Sequence, residues 1–207
     1  MMSCMLRSNP MALAYELWPH YRLYDRQQEI VRSVRDNRET FVTAGNQLGK
    51  DFVAGYIALS NFITAKKFGI TCRIITTSVV DKHLSVLWGE IGRFATTSKI
   101  GLTQALGGPL IYNHRDIRWE WNGKRDEISY LRGMVCKEPE GMAGHHADWT
   151  IAMIDEASGV ENPVYDQVRT WAKRLLVFGN PLPTNNFFKQ CVKGGDQTMP
   201  TQESLKW

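Results

Sequence analysis

The sequence predicts an α/β fold: a mostly parallel central sheet flanked by helices, with an added antiparallel hairpin. Three stretches carry that expectation. Thr40-Phe41-Val42-Thr43 is a short apolar strand that runs into a tight loop, Gly45 to Asp51, and then into an amphipathic helix. Ile151-Ala152-Met153-Ile154 is an unbroken apolar run ending on Asp155 and Glu156, the pattern of a parallel strand buried on both faces. Leu175-Leu176-Val177-Phe178 repeats the pattern and ends on Gly179-Asn180-Pro181. In open α/β sheets ligands bind at the carboxyl ends of such strands, which is where these polar residues fall.

Composition sets the outer bounds. With 207 residues, 43% of them hydrophobic, the chain can bury one substantial core. No apolar run approaches the roughly 20 residues of a membrane span, so no membrane partner is expected. Met1 to Pro10 has one arginine and no apolar stretch, unlike a signal peptide. Cys4, Cys72, Cys136 and Cys191 form no CxxC pair, which argues against structural zinc and for reduced thiols in a cytoplasmic setting. The net charge of +4 is spread along the chain; it is compatible with a polyanionic partner without establishing one.

The elements are expected in the following order. Residues 1–20 read as irregular, with Met- and Trp-containing spots that dock on the core. Arg26 to Arg35 suits a helix with Ile30, Val31 and Val34 on one face and Asp25 as N-cap. A strand over Thr40–Thr43 precedes a helix from Lys50 to about Lys66. A strand over Arg73–Thr77 precedes a helix from Asp81 to about Phe94, with Leu84, Leu87, Trp88 and Ile91 at core spacing. Arg115 to Tyr130 alternates on either side of Asn122-Gly123 and predicts an antiparallel hairpin beside the main sheet. Trp119, Trp121 and Tyr130 on it could stack bases; cross-strand packing is the preferred reading. A glycine-rich return, Gly141 to Gly144, leads to the Asp155 strand. Pro163 to Trp171 reads as helix, and Asn185 to Val192 as the last helix. The organisation is thus an irregular segment 1–20, one domain over 21–193, and a loose polar tail 194–207.

The loop Gly45-Asn46-Gln47-Leu48-Gly49-Lys50-Asp51 suits a triphosphate. Its backbone N–H groups and the following helix N-terminus attract phosphate oxygens, and Lys50 supplies a point charge for the β- and γ-phosphates. It departs from the phosphate-loop pattern at Ala44, where glycine is usual, and at Asp51, where Ser or Thr is usual. Asp155 is placed to hold Mg²⁺, and Glu156 to orient and deprotonate the attacking water. A buried strand ending in a solvated acidic turn leaves the same trace; the upstream Gly49-Lys50 loop favours the catalytic reading. Asn180 is either a γ-phosphate sensor or the start of an Asn-Pro turn.

Taken in order, Tyr24-Asp25-Arg26-Gln27, the Gly45 to Asp51 loop, Gly144-His145-His146-Ala147, Ile154-Asp155-Glu156-Ala157-Ser158-Gly159-Val160 and Gly179-Asn180-Pro181 resemble the ATPase domain of the large terminase subunit of tailed bacteriophages, over roughly residues 20–190. The resemblance implies an ASCE-type (RecA-like) P-loop NTPase fold and Mg²⁺-dependent ATP hydrolysis. It also implies translocation of double-stranded DNA into a procapsid, in the cytoplasm of an infected bacterial host. The implied partners are the portal protein, a small terminase subunit and further copies of the chain in a ring. By the same resemblance Gln27 reads adenine, with Gln28 a near rival; Lys50 binds phosphate, Asp155 the metal, Glu156 activates water and Asn180 couples hydrolysis to motion. His145 and His146 fall in the matching loop and are assigned no chemistry.

Three departures from the family follow. Asp51 replaces the hydroxyl that ligates Mg²⁺, and is expected either to serve as a metal ligand itself or to mark a site that no longer turns over. Asn46 and Gln47 stand where many terminases carry an arginine, so a neighbouring subunit is expected to supply that charge, with Arg93, Arg115 and Arg118 as candidates. The family's nuclease domain with its acidic two-metal site has no counterpart in this stretch, and no DNA cleavage is expected. Two other classes stay open: a helicase-like P-loop translocase, and a nucleotide-binding module without turnover.

Overall fold

The computed structural model describes residues 12–45, 48–99, 101–102, 108, 110–136, 138–180, 185–194 and 202–206; Asn46 and Gln47 of the expected phosphate loop lie outside these. The helices are α1 (Ala12–Leu17), α2 (Asp25–Asp36), α3 (Lys50–Lys67), α4 (Asp81–Thr96), α5 (Asn162–Arg169) and α6 (Phe187–Gly194). The strands are β1 (Glu39–Thr43), β2 (Cys72–Ser78), β3 (Leu110–Asn113), β4 (Asp116–Trp121), β5 (Lys124–Arg125), β6 (Tyr130–Val135), β7 (Trp149–Ile154), β8 (Arg174–Gly179) and β9 (Gln202–Lys206).

They form one sheet in the order β3-β4-β6-β2-β7-β8-β1-β9, with β5 added to β4. From β6 to β9 every neighbouring pair is parallel; β4 pairs antiparallel with β3, β5 and β6. The continuous apolar runs arise because both faces are covered. On β7, Ile151 and Met153 pack with residues of α2, α3 and α4, whereas Ala152 and Ile154 pack with residues of α5 and α6. Helix α3 is buried along most of its length, which places it between the sheet and α4 rather than at the surface. Among the described residues no helix is long and apolar enough to cross a membrane.

Several local expectations change. Tyr24, not Asp25, is the N-cap of α2; Gln27 Oε1 reaches back to accept the Tyr24 N–H at 3.4 Å, leaving Asp25 in the first turn, where its charge meets the helix dipole. Residues 12–17 are helical, and the adjoining Trp18 is buried with its indole N–H on the Phe94 carbonyl at 2.7 Å. The Asn122-Gly123 turn exists, with φ of 50° and 73°, but the hairpin it closes is short because β5 has two residues. Asp126 Oδ1 then accepts the N–H groups of Ile128 and Ser129 at 2.9 and 3.0 Å. That turn redirects the chain, so Tyr130 opens a main-sheet strand, β6, instead of closing the ribbon. Trp119 stacks on Phe62 of α3, centroids 5.5 Å apart and planes within 9°, rather than across the strands, while Trp121 is exposed. The tail expected to be loose contains β9, paired in parallel along all of β1.

Candidate functional site

β8 lies between β1 and β7 in the sheet, so the ends of all three strands share one edge. The ladder continues past the assigned ends: the Ala44 N–H bonds the Gly179 carbonyl at 3.2 Å, and the Asp155 N–H bonds the Thr77 carbonyl at 2.9 Å. Topology therefore brings together residues that are 105 positions apart in sequence.

Gly49 caps α3 in the left-handed region, at φ 78° and ψ 27°, where a side chain is strained. A Cβ there would also stand 3.0 Å from Gln27 Nε2. Gln27 is buried against this end of the loop, its oxygen engaged by the Tyr24 N–H. Gln28 instead donates to the Leu23 carbonyl and accepts from Arg32, so of the two glutamines Gln27 is the one at the loop. The Tyr24 hydroxyl braces the loop from outside by donating to the Leu48 carbonyl at 2.5 Å.

Lys50 opens α3 and is buried. Its ammonium donates to Asp155 Oδ1 at 2.9 Å and also contacts Glu156 Oε1. Burial pulls the Lys50 pKa down, but the charges and hydrogen bonds of Asp155 and Glu156 outweigh it, and the net direction is upward. Lys50 is thus a fixed cation. Asp51 sits one residue on; burial first, and then the Asp155 charge, push its carboxyl up to about 6, with Glu90 adding and Lys50 opposing.

Glu156 adopts φ 53° and ψ 47°, left-handed for a residue with a Cβ, a conformation found where surrounding structure enforces it. Asn186 braces the turn that follows, its Nδ2 donating to the carbonyls of Ala157, Ser158 and Val160 at 2.8, 3.2 and 3.0 Å. Ser158 Oγ donates to the Asn180 carbonyl at 2.6 Å, tying the end of β8 to the turn that follows Glu156. Asn180 thus follows the β8 end and is joined through its backbone carbonyl to the turn after Glu156.

His83, Asp155 and Glu156 each offer a donor atom, all within 4.8 Å of one another. Asp51, expected as a metal ligand with Asp155, is outside this group of three, though near enough to Asp155, and more weakly to Glu90, to feel their charges; the Lys50 ammonium lies on Asp155. Sequence reasoning missed His83, which stands in the first turn of α4, just past β2 at the same sheet edge. It also missed Asn186, because an asparagine in a loop carries no chemical signature.

The arginine candidates are engaged within the chain. Arg118 is buried and bound by Asp116 and Glu127. Arg115 forks onto Asp81 at 2.5 and 3.0 Å. Arg93 stacks on Tyr21 and Phe52 and pairs with Glu90. His145 lies before β7, at the strand end away from Asp155, with Nδ1 on the Tyr130 hydroxyl at 2.8 Å and its ring on Trp171; it is core.

No family model matches the sequence, and no curated protein matches it. Solved structures do match the fold. The large terminase ATPase domain of Thermus phage P74-26 superposes with a TM-score of 0.71 at 18% identity, covering 95% of this chain and 85% of that one. The large terminase of bacteriophage HK97 gives 0.63 at 12% identity, covering 90% of this chain and 40% of that one. A large terminase from a thermophilic bacteriophage, in complex with ADP, gives 0.52 at 10% identity, covering 90% of this chain and 45% of that one. The chain therefore has the fold of large terminase ATPase domains.

Proposed function

We propose that this chain is the ATP-hydrolysing motor domain of a viral DNA-packaging terminase, driving double-stranded DNA into a procapsid. The observation that carries the reading is the buried Lys50 ammonium on Asp155 and Glu156, at the edge where β1, β7 and β8 end. A terminase with this fold binds ADP, which supports ATP as the substrate here.

The residues divide the work as follows. Lys50 lies between the two acids and offsets part of their charge. As ATP enters, its ammonium turns to the β- and γ-phosphates, while backbone N–H groups at the start of α3 meet phosphate oxygens. Release of Lys50 frees Glu156 to orient water and take its proton. The Ser158 bond to the Asn180 carbonyl then passes any movement of the Glu156 turn to the end of β8. Asp155 would hold Mg²⁺, which when bound neutralises phosphate charge; a buried carboxylate freed of its ammonium fits a divalent ion. Double-stranded DNA, a portal protein, a small terminase subunit and a ring of copies in the host cytoplasm complete the proposal.

Nucleotide binding and turnover test it separately. Lys50→Ala is expected to lose ATP binding. Glu156→Gln is expected to keep binding while turnover falls about 10²–10⁴-fold, the usual weight of a general base. Hydrolysis by Glu156→Gln at the native rate would falsify the assignment. Asp51 in place of a hydroxyl favours one other reading, a nucleotide-binding module; binding without turnover in the unmodified chain would select it.

A further inference from the structure

We propose that His83 supplies a nitrogen ligand to a divalent-cation site completed by Asp155 and Glu156, a donor set that favours a first-row transition ion such as Mn²⁺ over Mg²⁺. Ligands about 2.0–2.2 Å from one ion stand at most about 4.4 Å apart. The three donor atoms already lie within 4.8 Å of one another, so small side-chain rotations close them on an ion. Magnesium takes oxygen ligands and keeps its waters; carboxylates suit magnesium and manganese alike, and imidazole suits transition ions, so the histidine is what turns the set away from magnesium.

A second observation points into the same space. Ser78 is 1% exposed, and its hydroxyl has no hydrogen-bond partner among the described residues. Thr77 pairs with Ile154 in the β2–β7 ladder, so Ser78 falls beside Asp155. Ile74, Ile151 and Met153, on the same parity, pack with α3 and α4. The pleat thus turns the Ser78 hydroxyl and the Asp155 carboxylate to one face, the one from which α4 presents His83. A buried hydroxyl left unbonded costs about 1–3 kcal/mol, and a metal-bound water is a partner of the right kind.

The Lys50 ammonium holds this space. An ammonium and a divalent ion cannot both occupy it, so metal enters as Lys50 leaves for phosphate. The inference rests on the reading of Asp155 and Glu156 as the acids of the ATP site, and the experiment separates the two.

Mn²⁺ is titrated into the full chain without nucleotide and followed by electron paramagnetic resonance, with ¹⁴N couplings read by spin-echo modulation. The unmodified chain, Lys50→Ala, His83→Asn and the double variant Lys50→Ala/His83→Asn are compared. Lys50→Ala is expected to bind Mn²⁺ more tightly than the unmodified chain and to show a directly bound nitrogen. His83→Asn in that background is expected to remove the nitrogen coupling and weaken Mn²⁺ at least about tenfold. His83 is exposed, so the substitution should leave the fold intact, checked by circular dichroism. Absence of a nitrogen coupling in Lys50→Ala, or equal Mn²⁺ affinity with and without His83, overturns the inference. Binding of a fluorescent ATP analogue with Mg²⁺ is measured alongside on the unmodified chain only, because Lys50→Ala is itself expected to lose it. Analogue binding without nitrogen-coupled Mn²⁺ sinks the His83 site alone; nitrogen-coupled Mn²⁺ without analogue binding sinks the ATPase reading and leaves a metal site.

Discussion

Glu156 carries a carboxylate on backbone that an L-residue occupies at a cost of about 1–2 kcal/mol, at φ 53°. Replacing it separates strain from chemistry. Both Glu156→Ala and Glu156→Gly lose the Lys50 contact, but only glycine relieves the backbone, so the glycine variant should be the more stable by about 1 kcal/mol. Urea denaturation measures this; an alanine variant at least as stable as the glycine variant would show that the turn is not strained. His145 gives a second test at this scale. Burial, and then the charges of Arg73 and Arg132, hold its pKa below the ordinary value. As pH falls through about 6.5 the unfolded chain binds a proton that the folded chain refuses, so stability falls with falling pH and levels off below the native pKa. The pH slope of the unfolding midpoint between 7 and 5 should shrink in His145→Gln, and an unchanged slope would contradict the assignment. Legibility in sequence differed among these residues for a physical reason. Lys50, Asp155 and Glu156 stand at fixed offsets from apolar strand ends, so pattern placed them at one sheet edge. His83 is a lone histidine on an amphipathic helix, and nothing local distinguishes it from a solvated side chain.

At the scale of the element, Gly133 in β6 shows why part of the sheet was hard to read. A Cβ there would stand 2.1 Å from Trp88 Nε1. That nitrogen donates to Thr76 Oγ1 at 2.9 Å, so the indole cannot retreat without stranding a buried hydroxyl. The glycine weakens β6 as a strand signal while making room for α4. Gly133→Ala should cost about 1–3 kcal/mol or more through overpacking. Trp88→Phe in the same chain should recover part of that loss, a coupling that a double-mutant cycle by chemical denaturation resolves; strictly additive costs would place the strain elsewhere. Helices α2 to α6 and the parallel strands β1, β2, β7 and β8 were legible because their apolar patterns are strong, whereas α1, β6 and β9 were not. The Asn122-Gly123 turn was legible too, with its positive φ values. What the pattern could not convey is that Asp126 makes a second turn immediately after β5, since that depends on one side chain capturing two backbone N–H groups.

At the scale of the whole molecule, the sheet must end somewhere, and on one side it ends at β9. Gln202-Glu203-Ser204-Leu205-Lys206 has one apolar residue and no clear alternation, which is why it reads as a loose tail. Edge strands need little hydrophobic content, and charged residues there discourage further pairing. Its partner is β1, the strand that delivers the chain into the Gly49-Lys50 loop, matched residue for residue from Glu39 to Thr43. Deleting residues 202–206 removes the ladder but also the cost of ordering five residues, about 1–2 kcal/mol each; against net hydrogen-bond contributions of about 0.5–1.5 kcal/mol each, the global change should be small. The local change should not be. With β9 gone, one edge of β1 presents unpaired N–H and C=O groups, so amide exchange should rise at alternate β1 positions and spread into the start of α3. The exposed edge should also promote concentration-dependent association visible by light scattering. ATP affinity should weaken because the loop is then anchored through β8 alone. Unchanged β1 protection and a monodisperse truncated chain would mean that β8 and the flanking helices suffice to hold the loop.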